Sequence, residues 1–107
     1  MVNIKLQTLT DNFEIKIDEQ DRFFVNGVQQ DINVRTFMFH LKYIIEGWEP
    51  EYVNNKITDG LSYSVVINKG QDKFSSKGIN KFPKNFSSFL RLIREVKRSE
   101  KTINNNR

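Results

Sequence analysis

A strand hairpin followed by a helix is written twice in this chain, and this pattern constrains the fold more than any other feature. The first copy spans residues 13–47, with a helical stretch that begins at Val34. The second spans residues 63–98, with a helical stretch from about Lys84. Apolar residues alternate in the strands and recur every three or four positions in the helices. The pattern favours an internal ββα duplication, although any two unrelated ββα units would show the same hairpin turns and alternation.

A further strand precedes the first hairpin, because Val2, Ile4 and Leu6 alternate with polar residues. The sequence therefore predicts an α+β fold with the order βββα–ββα. Its sheet would be five-stranded and mainly antiparallel, with both helices on one face and water on the other. A chain of 107 residues fits one domain, which we place at 1–100 with a flexible tail over 101–107.

The first helix is the best-defined element of the sequence. Its apolar stripe consists of Val34, Phe37, Met38, Leu41, Ile44, Ile45 and Trp48. Asn33, or Asp31, can accept a hydrogen bond at the N-cap. Gly47 suits the left-handed position after the helix, and Pro50 prevents its continuation. Residues 49–60 are expected to form a loop.

The second helix is predicted from its apolar face and from Pro83, which suits a first helical turn because it lacks an N–H group. Its inward residues are Phe86, Phe89, Leu90, Ile93 and Val96. Beyond Arg98 the sequence has few apolar side chains to bury, so we expect the helix to end there.

Composition excludes several classes of function. The chain has no cysteine and one histidine, His40, which removes disulfides, thiol nucleophiles and multi-histidine metal sites. His40 lies off the apolar stripe and is expected at the surface. No glycine-rich phosphate motif is present. We therefore expect a protein that is not an enzyme and that needs neither a metal nor a cofactor.

The chain also lacks the sequence signals of membrane proteins and exported proteins. No apolar run approaches the ~18 residues that indicate a membrane-spanning helix. The first residues alternate like a strand and do not resemble an export signal. We expect a cytoplasmic protein without a membrane partner.

Charge is distributed unevenly along the sequence. Residues 1–60 hold six basic and ten acidic side chains, whereas residues 61–107 hold eleven and three, a net −4 against a net +8. The basic residues that we expect to bind a partner are Lys84, Arg91, Arg94 and Arg98 on one helix stripe, with Lys73, Lys77 and Lys81 nearby. Such a surface can neutralise nucleic-acid phosphates or meet an acidic protein patch. It can equally be a solvated face that keeps the protein in solution.

Phe39 and Tyr43 are predicted on the outward side of the first helix, next to Arg35 and Glu46. Exposed aromatics flanked by charge are typical of interface anchors. The alternative is that the 49–60 loop covers them through Tyr52 or Ile57. They could also lie in a homodimer interface, so the sequence leaves a monomer and a homodimer open.

The last third carries a motif, Asp59-Gly60-x-x-Tyr63 followed by Gly78-Ile-Asn80-x-x-Pro83-x-Asn85-Phe86. It resembles a pattern in small uncharacterised α+β proteins of low-GC bacteria and their phages or mobile elements. That resemblance covers residues 59 to about 96 and implies no functional residue. In style the chain is similar to small anti-CRISPR and other anti-defence inhibitors.

From the charge and this similarity, the sequence favours a small non-enzymatic inhibitor that occupies the surface of a macromolecular partner. The partner would be a protein or nucleoprotein such as a CRISPR effector nuclease. The alternative is a protein that binds nucleic acid directly through its basic C-terminal helix.

Overall fold

A computed structural model of the chain describes residues 1–54 and 60–105, with side chains described as far as Arg98. Within these residues the elements are β1 (Val2–Gln7), β2 (Asn12–Ile17), β3 (Phe23–Val25), β4 (Val28–Gln30), α1 (Val34–Ile45), β5 (Glu51–Val53), β6 (Ser62–Lys69), β7 (Asp72–Ile79) and α2 (Phe86–Asn105). The strands form one sheet in the order β4-β3-β2-β1-β6-β7-β5. The α+β class is confirmed. The predicted five mainly antiparallel strands are corrected to seven strands in a mixed sheet.

The first additional strand, β4, follows a tight turn at Asn26-Gly27. Both turn residues have positive φ, 49° at Asn26 and 84° at Gly27. Val25 pairs with Val28 across them. Positive φ at both positions of a two-residue loop is the type I′ geometry that Asn-Gly favours in hairpins.

The second additional strand, β5, lies in the stretch 49–60 that was predicted as a loop. It pairs in parallel with β7, and Tyr52 lies opposite Gly78. A strand of three residues carries little periodic signal of its own. Its pairing therefore depends on the edge that β7 presents, and not on local sequence. Residues 55–59 of the predicted loop lie outside the described part of the chain.

The central strand β1 pairs antiparallel with both β2 and β6 in the same register. Leu6 lies opposite Phe13 on one side and Tyr63 on the other, and Ile4 lies between Ile15 and Val65. β3 then extends the sheet away from β1 on one side and β7 on the other. Strands β2 and β6 run in the same direction, because both are antiparallel to β1. Viewed from the side of the helices, β3 lies on one side of β2 and β7 on the opposite side of β6. The two ββα units therefore have opposite handedness and cannot be superimposed as rigid bodies. Their duplication stays a hypothesis about ancestry.

Helix α1 begins and ends close to the predicted residues. The side chain of Asn33 accepts a hydrogen bond from the backbone N–H of Thr36 at 3.0 Å, which confirms the N-cap. Gly47 follows the helix with φ 83°, in the left-handed region. Trp48, which was expected to continue the helical stripe, lies beyond the end of α1 but is buried.

Helix α2 begins at Phe86, so the prediction that Pro83 lies in its first turn is wrong. Pro83 is buried three residues earlier, where its carbonyl accepts a hydrogen bond from the N–H of Phe86. Asn85, with φ 67°, sets the chain direction into the helix. The helix also continues past Arg98 to Asn105. Residues 106–107 of the expected flexible tail lie outside the described residues, and that flexibility stays a prediction.

Both helices pack on one face of the sheet and share one apolar core. The inward strand residues alternate as predicted: Val2 and Ile4 in β1, Ile15 in β2, and Val65 in β6 are all buried. The opposite sheet face is open to water, and Val66 is among its exposed residues. Two helices on one face leave each helix with an outward side, and these sides contain the candidate functional residues.

Candidate functional site

The cationic stripe, which we define as Lys84, Arg91, Arg94 and Arg98, consists of three arginines on the outward side of α2 and one lysine before the helix. The inward side chains of this helix are Phe86, Phe89, Ile93 and Val96, all buried in the core. At 100° per residue the three arginines fall on the opposite side of the helix. Lys84 lies two residues before α2, so the helical spacing that predicted it on this stripe does not apply to it. All four side chains are exposed.

Much of the remaining charge asymmetry is neutralised inside the molecule. Four ion pairs join the acidic and basic parts of the sequence: Lys69–Asp21, Lys42–Asp72, Lys77–Glu51 and Lys97–Asp11. Lys77, one of the predicted docking residues, thus has an internal partner at 3.5 Å. Lys97 also lies 5.4 Å from the ring centre of Phe13. Such exposed pairs contribute little stability, about 0–1 kcal/mol each. They nevertheless reduce the positive electrostatic potential around the β6–β7 hairpin.

The cationic stripe is different, because none of its four residues forms an ion pair with any side chain that the structure describes. Glu95, exposed beside Arg91 and Arg98 on α2, also makes no ion pair in that part of the chain. Lys73 and Lys81 are exposed and unpaired within the same limits. The expected concentration of solvent-facing positive charge is therefore present on α2, and only in part on the hairpin.

A groove of about 490 Å³ lies between α1 and the β6–β7 hairpin. Its lining residues are Phe39, Lys42, Tyr43, Ile45, Glu46, Gly47, Ile67, Asp72, Lys73 and Phe74. The groove brings together three predicted site residues, Phe39, Tyr43 and Lys73. It does not include Lys77, Lys81 or the cationic stripe. The Lys42–Asp72 ion pair links its two walls.

Phe39 and Tyr43 are the most exposed aromatic side chains of the described chain, at 72% and 76% of their surface. Phe39 contacts His40 edge-on, with ring centres 5.7 Å apart, and His40 is exposed as predicted. Tyr52 does not cover them: its hydroxyl accepts a hydrogen bond from the backbone N–H of Glu49, and its ring packs against the core. Ile57 lies outside the described residues.

A hydrogen bond connects the segment after α1 to the segment before α2. The indole Nε1 of Trp48 donates a hydrogen bond of 2.9 Å to the carbonyl oxygen of Lys84. Trp48 follows Gly47, which lines the groove. This buried indole therefore fixes the first residue of the cationic stripe relative to the helix that carries Phe39 and Tyr43.

The two groups with a shifted pKa have structural explanations. Burial raises the pKa of Tyr63, whose hydroxyl is hydrogen-bonded to Ser76, and Ser76 in turn donates to the carbonyl of Glu49. The backbone N–H of Arg22 lowers the pKa of Asp18 in an exposed turn. Neither arrangement pairs a nucleophile with a base. Among residues 1–54 and 60–98, no cluster of three or more metal-ligating side chains is found.

The groove was not predicted as a unit, although several of its residues were. Its walls come from positions about thirty residues apart, and only the pairing of β6 with β7 beside α1 brings them together. The outward aromatics were visible from helical spacing alone. Which cations lack an ion-pair partner could not be read from sequence, because the partners of Lys69, Lys77 and Lys97 are distant in the chain.

Comparisons with protein-family models, with curated proteins and with solved structures found no significant match. Within the described residues, no helix is both long and apolar enough to cross a membrane.

Proposed function

We propose that the protein is a binding protein that docks the cationic stripe of α2 onto an acidic surface of a protein partner. The observation that carries this proposal is that Lys84, Arg91, Arg94 and Arg98 are exposed with no ion-pair partner among the described side chains. Three other lysines of the same part of the chain are paired with carboxylates: Lys69, Lys77 and Lys97. A stripe held free in this way is available for an external anion.

The stripe has the chemistry for docking on carboxylates. Three of its four residues are arginines, whose planar guanidinium groups bind carboxylates through two parallel hydrogen bonds. The buried side of α2 fixes the helix on the sheet, so the cations are presented from a rigid element. Complementary charge of this kind speeds association and fixes orientation more than it adds affinity.

Two features favour an acidic protein over nucleic acid. Glu95 is exposed beside Arg91 and Arg98 and interrupts the positive surface. A protein partner can place its carboxylates away from Glu95, whereas the evenly spaced charges of a phosphate backbone cannot avoid it. The described strands place one aromatic, Phe24, on the open sheet face, and it is only partly exposed. Stacking of unpaired bases generally uses two or three such rings. Nucleic acid is therefore the alternative partner of the stripe, and the binding experiments below distinguish it from a protein.

The mode of action that we propose is inhibition by occupation of the partner's surface. A CRISPR effector nuclease is the first partner to test, following the resemblance in style to small anti-defence inhibitors. Inhibition would be measured as loss of target cleavage by the nuclease, with and without its guide RNA, on addition of the protein.

The test compares two double variants of equal charge. Arg91→Gln/Arg94→Gln removes the centre of the stripe, and Lys5→Gln/Lys16→Gln removes the same charge from the open sheet face. We expect the α2 variant to lose nuclease binding by about tenfold or more, with a steep dependence on salt, while the sheet variant binds like the wild type. Equal loss in both variants would contradict a specific stripe.

Titration with generic DNA and RNA at ~150 mM salt decides between the two partner classes. Affinity tighter than the ~10⁻⁴–10⁻⁶ M of non-specific contacts, lost in the α2 variant, would replace the protein partner by nucleic acid. Absence of binding to both polymers, together with α2-dependent binding to the nuclease, supports the proposal.

A further inference from the structure

The outward side of α1 carries four residues in a row, which we call the α1 stripe: Arg35, Phe39, Tyr43 and Glu46. All four are exposed. At 100° per residue they fall within about 80° of one another, opposite the buried residues Phe37, Leu41 and Ile45 of the same helix. The stripe thus has two aromatics at its centre and one charge of each sign at its ends.

The two charges of the α1 stripe have no ion-pair partner among the side chains that the structure describes. Each also stands at the unfavourable end of the helix. Arg35 is in the first turn, where the helix dipole is positive, and Glu46 is the C-cap, where it is negative. Neither charge is stabilised by the dipole of its own helix. Both would be stabilised by opposite charges of a second molecule.

The geometry points to a second copy of this chain as the source of those charges: we propose that α1 forms an antiparallel homodimer contact through the α1 stripe. Phe39 and Tyr43 are centred on residue 41, and Arg35 and Glu46 lie almost symmetrically on either side. In an antiparallel pair, Arg35 of each copy faces the partner subunit's Glu46. Each Phe39 then packs beside the partner subunit's Tyr43.

The pairing is self-complementary, as an interface with two-fold symmetry requires, because the same patch serves both copies. It also corrects the dipole mismatch, since each Arg35 meets the C-terminal end of the neighbouring helix and each Glu46 its N-terminal end. The groove beside α1, lined by Phe74 and Ile67, leaves apolar space at the edge of the contact.

The expected dimer is weak. An aromatic side chain buries roughly 150–250 Å² when fully covered, so the four exposed rings of a dimer would remove roughly 450–750 Å² from water. Stable interfaces bury about 1,200–2,000 Å² in total. We therefore expect a weak dimer that is in equilibrium with monomer at submillimolar concentrations. The contact is independent of the cationic stripe, which lies on the other helix.

Sedimentation analysis of the full chain, from low micromolar to submillimolar concentration, tests the proposal through charge reversal. Arg35→Glu and Glu46→Arg each place like charges at both ends of the contact, so each variant alone should dimerise about tenfold or more weakly than the wild type. Mixing the two variants should restore the dimer, because unlike charges then face each other at both ends.

The same variants separate this effect from misfolding. Both substitutions place a charge that favours the helix dipole of α1, so each monomer should unfold at an equal or slightly higher temperature than the wild type. Arg94→Glu on α2 is the matched control and should dimerise normally. A wild type that stays monomeric throughout the range overturns the proposal, as does a mixture that associates no better than the single variants.

A third variant addresses the aromatic centre. Phe39→Asp should abolish the dimer without restoration by either charge variant. If Phe39→Asp leaves the dimer intact, the contact lies elsewhere on the molecule. If the wild type is monomeric and Phe39→Asp weakens binding to the nuclease, the α1 stripe meets a different protein.

Discussion

The two helices cover the same face of the sheet but rest on different kinds of side chain. Helix α2 contributes Phe86 and Phe89 to a cluster of rings that also contains Trp48, Tyr63 and Phe82. The contacting pairs of rings have centres 4.5–6.4 Å apart. Helix α1 buries mainly aliphatic side chains such as Leu41 and Ile45, with one ring contact between Phe23 and Phe37. This ring cluster, which we call the aromatic seat of α2, therefore holds the helix that carries the cationic stripe.

This difference has a physical consequence for the outward surfaces. Large flat rings fit only in particular orientations, so an aromatic seat fixes the rotation of a helix more closely than branched aliphatic chains do. We infer that α2 holds its arginines in a defined direction. The aliphatic seat of α1 is more tolerant, which suits a surface for weak and reversible contact.

The largest expected effect comes from removing a ring of the α2 seat. Phe89 has no exposed surface, so Phe89→Ala should lower the free energy of unfolding by about 3–5 kcal/mol. Phe39→Ala removes the same ring from the outward side of α1. It should change the stability of the monomer by no more than about 0.5 kcal/mol. Urea denaturation of both variants at low protein concentration measures the contrast, and similar losses would contradict the assigned faces.

A smaller loss is expected from a methyl group placed under the same seat. A Cβ at Gly78 would overlap the ring of Tyr63 and lie 2.7 Å from the carbonyl oxygen of Lys81. Because Tyr63 packs against Phe86, Gly78→Ala should displace the start of α2 and cost about 1–3 kcal/mol. Ser75→Ala, at an exposed position of the same strand, is the control and should be nearly neutral. Thermal unfolding monitored by near-UV circular dichroism reports both effects.

Gly78 also shows how far sequence reasoning reached. In the sequence this glycine is part of the motif that leads to Pro83. Only the structure shows that it leaves room for the ring of Tyr63 from the neighbouring strand. Local signals correctly located α1, its cap at Asn33 and the strands on either side of β1. The outward directions of Phe39 and of the three arginines of the cationic stripe also followed from helical spacing.

What local patterns could not provide was information held by distant pairing. The short strand β5 exists because β7 offers a free edge, and its three residues have no periodicity to detect. The turn at Asn26-Gly27 was detectable, because this dipeptide between β-rich residues is a strong hairpin signal. The groove and the internal partners of Lys69 and Lys97 required the sheet order, which one sequence does not contain.

The caps of the two helices should also contribute differently to stability. Asn33 caps α1 with its side chain, so Asn33→Ala should cost about 0.5–2 kcal/mol and Asn33→Gly only a few tenths. Asn85 precedes α2 with φ 67°, a backbone conformation that glycine adopts without strain. Asn85→Gly should therefore leave stability unchanged or slightly raised. A loss at Asn85→Gly comparable with that of Asn33→Ala would show that both helices depend on side-chain caps.

The smallest effect concerns the turns of the β2–β3 and β6–β7 hairpins. The β6–β7 turn uses Gly70 with φ 60°, whereas the β2–β3 turn is closed by the carboxylate of Asp18. Asp18 accepts hydrogen bonds from the backbone N–H groups of Arg22 and Gln20 and from the Arg22 guanidinium. The backbone N–H of Arg22 is the largest cause of its lowered pKa.

A lowered pKa in the folded state means that the carboxylate stabilises the fold above its ordinary pKa of about 3.9. That contribution is lost as the pH falls through the lower folded value. We expect an NMR titration to place the pKa of Asp18 below its ordinary value, and Asp18→Asn to remove this part of the acid dependence. Arg22→Gln keeps both backbone donors, so the pKa of Asp18 should stay below its ordinary value, although it should rise toward it. A return of Asp18 to its ordinary pKa in Arg22→Gln would mean that the guanidinium, and not the turn backbone, closes this hairpin.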